Sequence, residues 1–234
     1  LETVQQQLQW FQQGFPSAHL QRPCTVGDGI VVLAPQDVDR LTSLHDQTAR
    51  AGRVMKFVPA SGAASRMFQS LSTLHSHTPP LTRASLVSAA ESGDRDGQQF
   101  LQLLAKFPQL AFADDLRQAM AQDGISYDEA ISHGQYQQFL SYLLTPQGLN
   151  YANLPKGLIQ FHRYPDHTRT PFEEHVVEAS EYARDGSGTA HLHFTVPVEH
   201  RDAISTYLRS RLSRYERAGC RFHLTFSVQK TETD

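Results

Sequence analysis

The sequence predicts an α/β fold in which a mostly parallel sheet is interrupted by a helical insertion. An apolar run at residues 54–58 ends in small residues and is followed by a helical pattern, which is typical of a strand, a tight turn and a helix. After residue 153 strand and helix patterns alternate, and this order favours a parallel sheet with right-handed crossovers. Between these two parts, residues 81–144 carry several short helical patterns and no strand pattern.

The amino-terminal part predicts two helices on either side of a short strand. An apolar stripe at helical spacing opens the chain, and Gly14 and Pro16 are expected to end that helix. Residues 30–33 (IVVL) are expected to form a short buried strand. A second helix is expected to begin at Pro35 and to end near Gly52.

The carboxy-terminal part predicts the remainder of the sheet. A helix is expected to begin after Thr170, with Pro171 in its first position and Glu173 placed to complete a capping box. Residues 191–196 alternate in polarity as a half-buried strand does. A further helix follows, and the last strand is expected at residues 221–228.

Composition excludes several classes of protein. The chain has 234 residues, 39% of them hydrophobic and 19% charged, which is typical of a globular protein. Its net charge of -3 opposes non-specific binding to nucleic acid. The two cysteines, Cys24 and Cys220, form neither a disulfide framework nor a metal motif. The first residues lack the basic region and apolar core of a signal peptide, and no apolar run is long enough to span a membrane. We therefore expect a cytoplasmic protein that binds no membrane and no nucleic acid.

The small residues after the first predicted strand of the sheet form a candidate phosphate-binding loop. Small side chains allow a ligand to approach the backbone, and Gly62 can adopt a positive φ. Free N–H groups in such a turn attract phosphate, and Arg66 adds a guanidinium that suits phosphate oxygens. The predicted binding residues are Ala60, Ser61, Gly62, Ala63, Ala64 and Ser65. The alternative is an ordinary strand-to-helix turn with an exposed arginine.

A second candidate segment lies at residues 153–162. Pro155 fixes the backbone ahead of a segment that we expect to be extended. Lys156 lies in an apolar sequence, where an ammonium group requires an anion or a carboxylate partner. Gly157 allows another group to approach closely.

These motifs resemble those of a known superfamily. The loop PASGAASRM resembles the phosphate loop of the nucleotidyltransferases that make nucleotide-sugars, which have a GT-A-like, Rossmann-like fold. The segment PKGLI resembles their Pro-Lys motif, and TPFEEHVVE resembles the helix that follows it. More closely, VPASGAASRMF, LPKGL and RTPFEEHVVEA are similar to an uncharacterised bacterial domain-of-unknown-function family related to that superfamily.

The resemblance implies an activity and a set of roles. A phosphorylated, sugar phosphate-like acceptor would attack the α-phosphorus of a nucleoside triphosphate, and pyrophosphate would leave. Residues 60–65 would hold the nucleotide, Arg66 and Lys156 would act as the catalytic cations, and Mg²⁺ would bridge phosphate oxygens. The chain would be one α/β domain over residues 1–234, with a helical insertion at residues 69–150. We expect it to be an amino-terminal portion of a longer protein.

Two departures from the superfamily pattern motivate a different function. Ala64 stands where the phosphate loop usually has its second glycine, and no metal-binding aspartate can be identified; Asp234 lies in the terminal tail. The alternative is therefore a non-catalytic domain that binds a nucleotide or a protein partner. In a third interpretation, the helices of residues 81–144 are the working surface.

The histidines and serines leave two weaker alternatives. His191 and His193 are expected on one face of a strand, and four more histidines lie in the same half of the sequence: His162, His175, His200 and His223. A zinc or iron site would need three or four such ligands to converge. A nucleophilic Ser61 or Ser65 would need an activating histidine, and the loop lacks the Gly-x-Ser-x-Gly pattern.

Overall fold

The computed structural model describes residues 2–14, 17, 19–60, 62–216 and 219–229. These form two compact units, Leu1–His45 and Asp46–Asp234. The second unit contains both candidate segments.

The first unit contains helix α1 (Glu2–Gln13), strands β1 (Thr25–Val26) and β2 (Gly29–Ile30), and the beginning of helix α2 (Pro35–Arg50). The two helices agree with the sequence prediction, and Gly52 follows α2 with a φ of 69°. Residues Phe15 and Pro16, predicted at the end of the first helix, lie outside the described residues.

The predicted buried strand at residues 30–33 is wrong. Ile30 closes the two-residue strand β2, while residues 31–33 have no regular structure, and Val31 is 84% exposed. In its described residues the first unit has one sheet, formed by β1 and β2, and each of these strands is two residues long. So small a sheet offers no apolar face for this segment. An apolar run needs such a partner to become a buried strand.

The second unit combines a parallel sheet with many helices. Its strands are β3 (Lys56–Pro59), β4 (His162–Arg163), β5 (Thr168–Arg169), β6 (Thr189–Val196) and β7 (Arg221–Val228). Its further helices are α3 (Gln69–His75), α4 (Arg83–Glu91), α5 (Arg95–Lys106), α6 (Ala113–Gln122), α7 (Tyr127–Ser132), α8 (Tyr136–Leu144), α9 (Pro171–Tyr182) and α10 (Arg201–Arg211).

Strands β3, β6 and β7 form a three-stranded sheet in that order, and both pairs of neighbours are parallel. The predicted alternation in β6 is confirmed, since four of its eight side chains are fully buried on one face: Ala190, Leu192, Phe194 and Val196. The opposite face carries His191, His193 and Thr195. The buried face packs in one hydrophobic cluster with side chains of α9 and α10, which we call the sheet cluster.

The helices α3 to α8 enclose a second hydrophobic cluster, which we call the helical cluster. Its largest fully buried side chains include Phe100, Phe107, Tyr136, Phe139 and Tyr142. Aromatic contacts bind these helices together; for example, the rings of Phe107 and Tyr127 stack with their centroids 4.5 Å apart. The helical character predicted for residues 81–144 is therefore confirmed, whereas the domain boundaries stay a prediction.

The fold is thus mixed α/β with a parallel three-stranded sheet. Among the helices of the described residues, none has the length and apolar character that a membrane crossing requires.

Candidate functional site

The structure brings the two candidate segments side by side. The N–H of Lys156 donates to the carbonyl oxygen of Gly62 at 3.0 Å, and the N–H of Ala64 donates to that of Leu154 at 3.3 Å. These bonds form an antiparallel bridge between Ala63 and Pro155. Motifs that are about ninety residues apart in sequence therefore form one site.

Both segments contact the sheet cluster and the helical cluster. Ala60 packs against the sheet cluster, whereas Ala64 is fully buried in the helical cluster. In the second segment, Leu154 and Ile159 pack in the helical cluster, and Leu158 between them contacts the sheet cluster. The site therefore lies where the two hydrophobic clusters meet, just after the carboxyl end of β3.

The loop follows β3 directly and is anchored to the sheet. The N–H of Ala60 donates to the carbonyl oxygen of Thr195 at 2.8 Å, which extends the pairing of β3 with β6 by one residue. Ser61, one of the predicted binding residues, lies outside the described part of the chain. Gly62, Ala63 and Ser65 are exposed, so a ligand in solution can reach them.

Four N–H groups of the loop remain available to a ligand. Those of Gly62, Ala63, Ser65 and Arg66 have no hydrogen-bond acceptor among the residues that the structure describes. The N–H of Ala64 is different, because Leu154 already accepts its hydrogen bond. Ala64 is fully buried, so its side chain contributes to packing and its predicted role in binding is not supported by its position.

The loop leads into a short helix. Residues 65–68 form a turn, and α3 begins at Gln69 without a side-chain cap. Arg66 is exposed on this turn and has no ion-pair partner in the described ranges. Its guanidinium is therefore free to bind an anion.

The structure changes the explanation of Gly62. Its φ is not positive, and a Cβ atom there would meet the Cδ of Lys156 at 3.9 Å, an ordinary contact. An alanine would therefore fit, and the reason for a glycine at this position is not backbone strain. The same distance shows that the Lys156 side chain lies against the loop.

Lys156 is exposed, so the expectation of an apolar environment for its ammonium group is wrong. Residues Lys156–Leu158 form a turn of 3-10 helix, where we expected an extended segment. The turn directs the side chain toward solvent even though its sequence neighbours are apolar. Within the described residues, Lys156 has no carboxylate partner.

Gly157 connects the second segment to helix α9. A Cβ atom at this position would lie 2.3 Å from the ring of Phe172, which is not possible without movement. The predicted close approach is therefore confirmed, but the approaching group is an aromatic side chain of the protein. Phe172 is itself buried against Phe194 of β6, so α9 holds the segment in place.

The predicted cap of α9 is confirmed and belongs to a larger network. Thr170 accepts from the N–H of Glu173, and the carboxylate of Glu173 accepts from the N–H of Thr170. That carboxylate also accepts hydrogen bonds from the hydroxyls of Tyr207 at 2.8 Å and Tyr215 at 2.9 Å. Burial alone would raise the pKa of Glu173, but these hydrogen bonds outweigh it, and the pKa lies below its usual range.

A second polar group lies beside β3. The ammonium of Lys56 contacts the carboxylate of Glu178 and the hydroxyl of Tyr182, both on α9. Burial opposes the charge on Lys56, but the two hydrogen bonds raise the pKa of the lysine. Burial and the nearby Lys56 lower the pKa of His175. Lys56, His175 and Tyr182 line a cleft of about 470 Å³ along the edge of β3.

The polar face of the sheet carries a hydroxyl and imidazole network. The ring of His193 contacts the hydroxyl of Thr225 at 2.8 Å and that of Ser227 at 2.9 Å, and it stacks against Phe57. The ring of His191 contacts Asp185 at 3.1 Å. The expectation that His191 and His193 share a face is confirmed, but neighbouring side chains of the protein already contact both rings.

The described residues contain no group of three or more side chains that could hold a metal ion. The histidines considered for a zinc or iron site therefore do not converge in this part of the chain. Ser65 has no histidine within hydrogen-bond distance among the described residues, and Ser61 lies outside them. Neither alternative gains support from the geometry.

Sequence reasoning missed the contacts that hold this site together. Glu173 could be identified as a capping residue, but the tyrosines that bind it are more than thirty residues away. Lys56 and Glu178 are separated by 122 positions. A lysine in an otherwise apolar strand was the signal that could have indicated a carboxylate partner.

The fold and the site define a class of protein. It is a mixed α/β protein in which a small-residue loop follows a strand of a parallel sheet and lies beside a lysine-bearing turn. Within that class, the chain belongs to the family described as domain of unknown function DUF4301, which matches residues 1–234. No curated protein and no solved structure matches the chain.

Proposed function

We propose that the loop at residues 60–66 and the turn at Lys156 bind the phosphate groups of a nucleoside triphosphate. In this proposal the chain is a nucleotidyltransferase-like protein with a Rossmann-like, GT-A-type arrangement. The observation that supports the proposal is the backbone bridge between Ala63 and Pro155, which pairs the loop that leads to Arg66 with the segment that carries Lys156. A cytoplasmic location follows from this proposal, because the triphosphate is supplied there.

The free N–H groups of residues 62, 63, 65 and 66 would donate to phosphate oxygens. Arg66 and Lys156 are exposed and unpaired in the described residues, so an arriving phosphate displaces no existing ion pair. Both cations would then neutralise the negative charge that builds up on the leaving group.

The proposed reaction is the transfer of a nucleotidyl group to a phosphorylated, sugar phosphate-like acceptor. A phosphate oxygen of the acceptor forms a bond to the α-phosphorus of the triphosphate. The bond from that phosphorus to the oxygen bridging the α and β positions breaks, and pyrophosphate leaves with the electron pair. The protein's part is to position the two reactants and to neutralise charge.

Mg²⁺ is expected to accompany the triphosphate. The described residues do not supply a cluster of three metal-ligating side chains. The ion is therefore varied in the binding test, and no step of the proposed reaction depends on a metal held by the protein.

A second function is a domain that binds a nucleotide or a protein partner without turnover. The observation that favours it is the state of Ala64, whose N–H is bonded to Leu154 and whose side chain is fully buried. One donor of the loop is therefore unavailable to stabilise the charge of a transition state.

The test is a thermal-shift screen of nucleoside triphosphates with and without Mg²⁺. A ligand present at one hundred times its dissociation constant stabilises the folded state by about 2.7 kcal/mol. We expect one nucleotide to raise the melting temperature of the wild-type chain, and the variants Arg66→Gln and Lys156→Gln to lose most of this shift. Arg95→Gln and Lys106→Gln, which change exposed cations on α5, serve as matched controls and should keep it.

Turnover separates the two functions. Release of pyrophosphate in the presence of sugar phosphates supports the transferase, whereas a thermal shift without pyrophosphate release supports the binding domain. Equal shifts in the wild-type chain and in both loop variants would contradict the proposed site.

A further inference from the structure

A separate cleft lies between the outer face of α9 and the residues that follow α10. Its volume is about 640 Å³. It is lined by Asp166, His167, Arg169, Val177, Ser180, Glu181, Arg184, Arg214, Tyr215 and Cys220. None of these residues belongs to the loop at 60–66 or to the segment at 153–158, so this cleft is distinct from the proposed nucleotide site.

Three of the described residues that line the cleft are arginines, and two of these have no side-chain partner among the described residues. Arg184 and Arg214 are exposed, and their side chains have neither a hydrogen bond nor an ion pair with any described residue. Among the lining side chains that the structure describes, two are carboxylates. One of them, on Asp166, contacts the imidazole of His167 at 2.7 Å, and the other belongs to Glu181. The described lining therefore has an excess of positive charge.

The third arginine is held rigidly. The guanidinium of Arg169 lies over the ring of Tyr164, 4.4 Å from its centroid, and 5.6 Å from that of Tyr215. Its side chain is 17% exposed, and its contacts with the carboxylate of Glu174 are long, at 3.5 Å. The buried Nε atom has no hydrogen-bond partner in the described residues. Such a group is preorganised and retains unused donors.

We propose that this cleft binds a small-molecule oxyanion, either a phosphate or a carboxylate, through the guanidinium groups of Arg169, Arg184 and Arg214. Planar guanidinium groups donate paired hydrogen bonds that match both kinds of oxyanion. Arg169, which is stacked on Tyr164, fixes the position of the ligand. The exposed guanidinium groups of Arg184 and Arg214 bind it from the solvent side. The hydroxyl of Ser180, on the α9 wall of the cleft, lies within the same lining.

The test is calorimetric titration of the full chain with pyrophosphate and, separately, with citrate, at constant ionic strength. We expect saturable binding of at least one of them. The double variant Arg184→Gln/Arg214→Gln should weaken that binding by about tenfold or more. Arg95→Gln and Lys106→Gln, both on α5, should each leave it within about twofold of wild type, because neither residue lines the cleft.

A matched pair at Ser180 provides a test that does not depend on removing arginines. Ser180→Asp places a negative charge in the wall of the cleft, whereas Ser180→Asn has nearly the same shape without the charge. We expect the aspartate variant to weaken binding by about tenfold and the asparagine variant to stay within about threefold of wild type.

The relative affinities for pyrophosphate and citrate show which kind of oxyanion the cleft prefers. Tighter binding of pyrophosphate identifies a phosphate site, and tighter binding of citrate identifies a carboxylate site. Absence of saturable binding for both would overturn the proposal, as would equal binding by the double variant or by Ser180→Asp. Binding that is kept in the double variant but lost in Arg66→Gln would place the anion at the loop and also overturn it.

Discussion

Glu173 is a charged residue that lies buried in the second unit. It is 2% exposed, yet its carboxylate accepts hydrogen bonds from Thr170, Tyr207 and Tyr215. A buried charge is tolerated only when its oxygens are satisfied in this way. The network joins the beginning of α9 to α10 and to the turn after it, so it fixes the helix that supports Gly157.

We predict that Glu173→Gln lowers the free energy of unfolding by about 2–4 kcal/mol, because an amide cannot accept all of these hydrogen bonds. Urea denaturation of wild type and variant measures the difference at pH 7. Glu199→Gln, which changes an exposed carboxylate, is the control and should change stability by less than about 0.5 kcal/mol.

The difference in unfolding free energy between wild type and Glu173→Gln should depend on pH. The pKa of Glu173 is lower in the folded protein than its ordinary value. Its stabilisation is therefore fully present above the unfolded-state pKa of about 4.3, and it is lost as pH falls through the folded-state pKa. The stability difference between wild type and Glu173→Gln should shrink below pH ~4. A difference that stays constant down to pH 3 would contradict this assignment.

Two glycines of the candidate site offer a matched pair of substitutions. Gly157→Ala should destabilise the chain by about 1–3 kcal/mol, because its Cβ would collide with the ring of Phe172. Gly62→Ala should change stability by less than about 0.5 kcal/mol, because the nearest side-chain atom is 3.9 Å away. Thermal and urea unfolding of both variants tests this, and a larger loss for Gly62→Ala would show that the packing described here is wrong.

At the scale of elements, strands and helices differ in how deeply they are buried. Every second side chain of β6 is fully buried, and β6 is hydrogen-bonded to a strand on each side, β3 and β7. Helix α1, in contrast, has no buried residue. A twelve-residue helix that buries none of its residues is only weakly stabilised by packing.

Hydrogen exchange measures this difference directly. We predict that amides of β6 exchange only through global unfolding, and that amides of α1 exchange faster, through local opening of the helix. Protection of α1 comparable to that of β6 would mean that this helix packs against another surface in solution.

Local patterns were sufficient to predict several elements. The strict alternation of β6, the boundaries of β7, and the Thr170–Pro171–Glu173 cap all follow from neighbouring residues, and each is confirmed. Residues 30–33 have an equally strong strand pattern but are exposed. Burial of a strand depends on a partner that is remote in sequence, and local pattern does not contain that information.

The candidate site shows the same limit. The order of the motifs indicated that residues 60–66 and 153–158 belong to one site, and the backbone bridge brings them together. The exposure of Lys156 and the buried state of Ala64 were not predictable, because both depend on how the segments pass between the two hydrophobic clusters. The predicted roles of Arg66 and Lys156 stay predictions.

At the scale of the whole second unit, the two hydrophobic clusters explain where the site lies. The sheet cluster holds Ala60 and Leu158, and the helical cluster holds Ala64 and Ile159. The two segments at this junction are joined to each other by backbone hydrogen bonds. Four N–H groups of the loop have no acceptor among the described residues. Such a junction is a common position for ligand binding in α/β proteins.

The most direct test of the phosphate-binding claim is an amide NMR titration of the isotope-labelled chain with the nucleoside triphosphate selected by the thermal-shift screen. We expect the amides of Gly62, Ala63, Ser65 and Arg66 to shift most. The amides of Ala64 and Lys156 should shift less, because their N–H groups already donate to Leu154 and Gly62. Saturable shifts confined to other residues, or no saturable shift in the loop, would contradict the proposed nucleotide site.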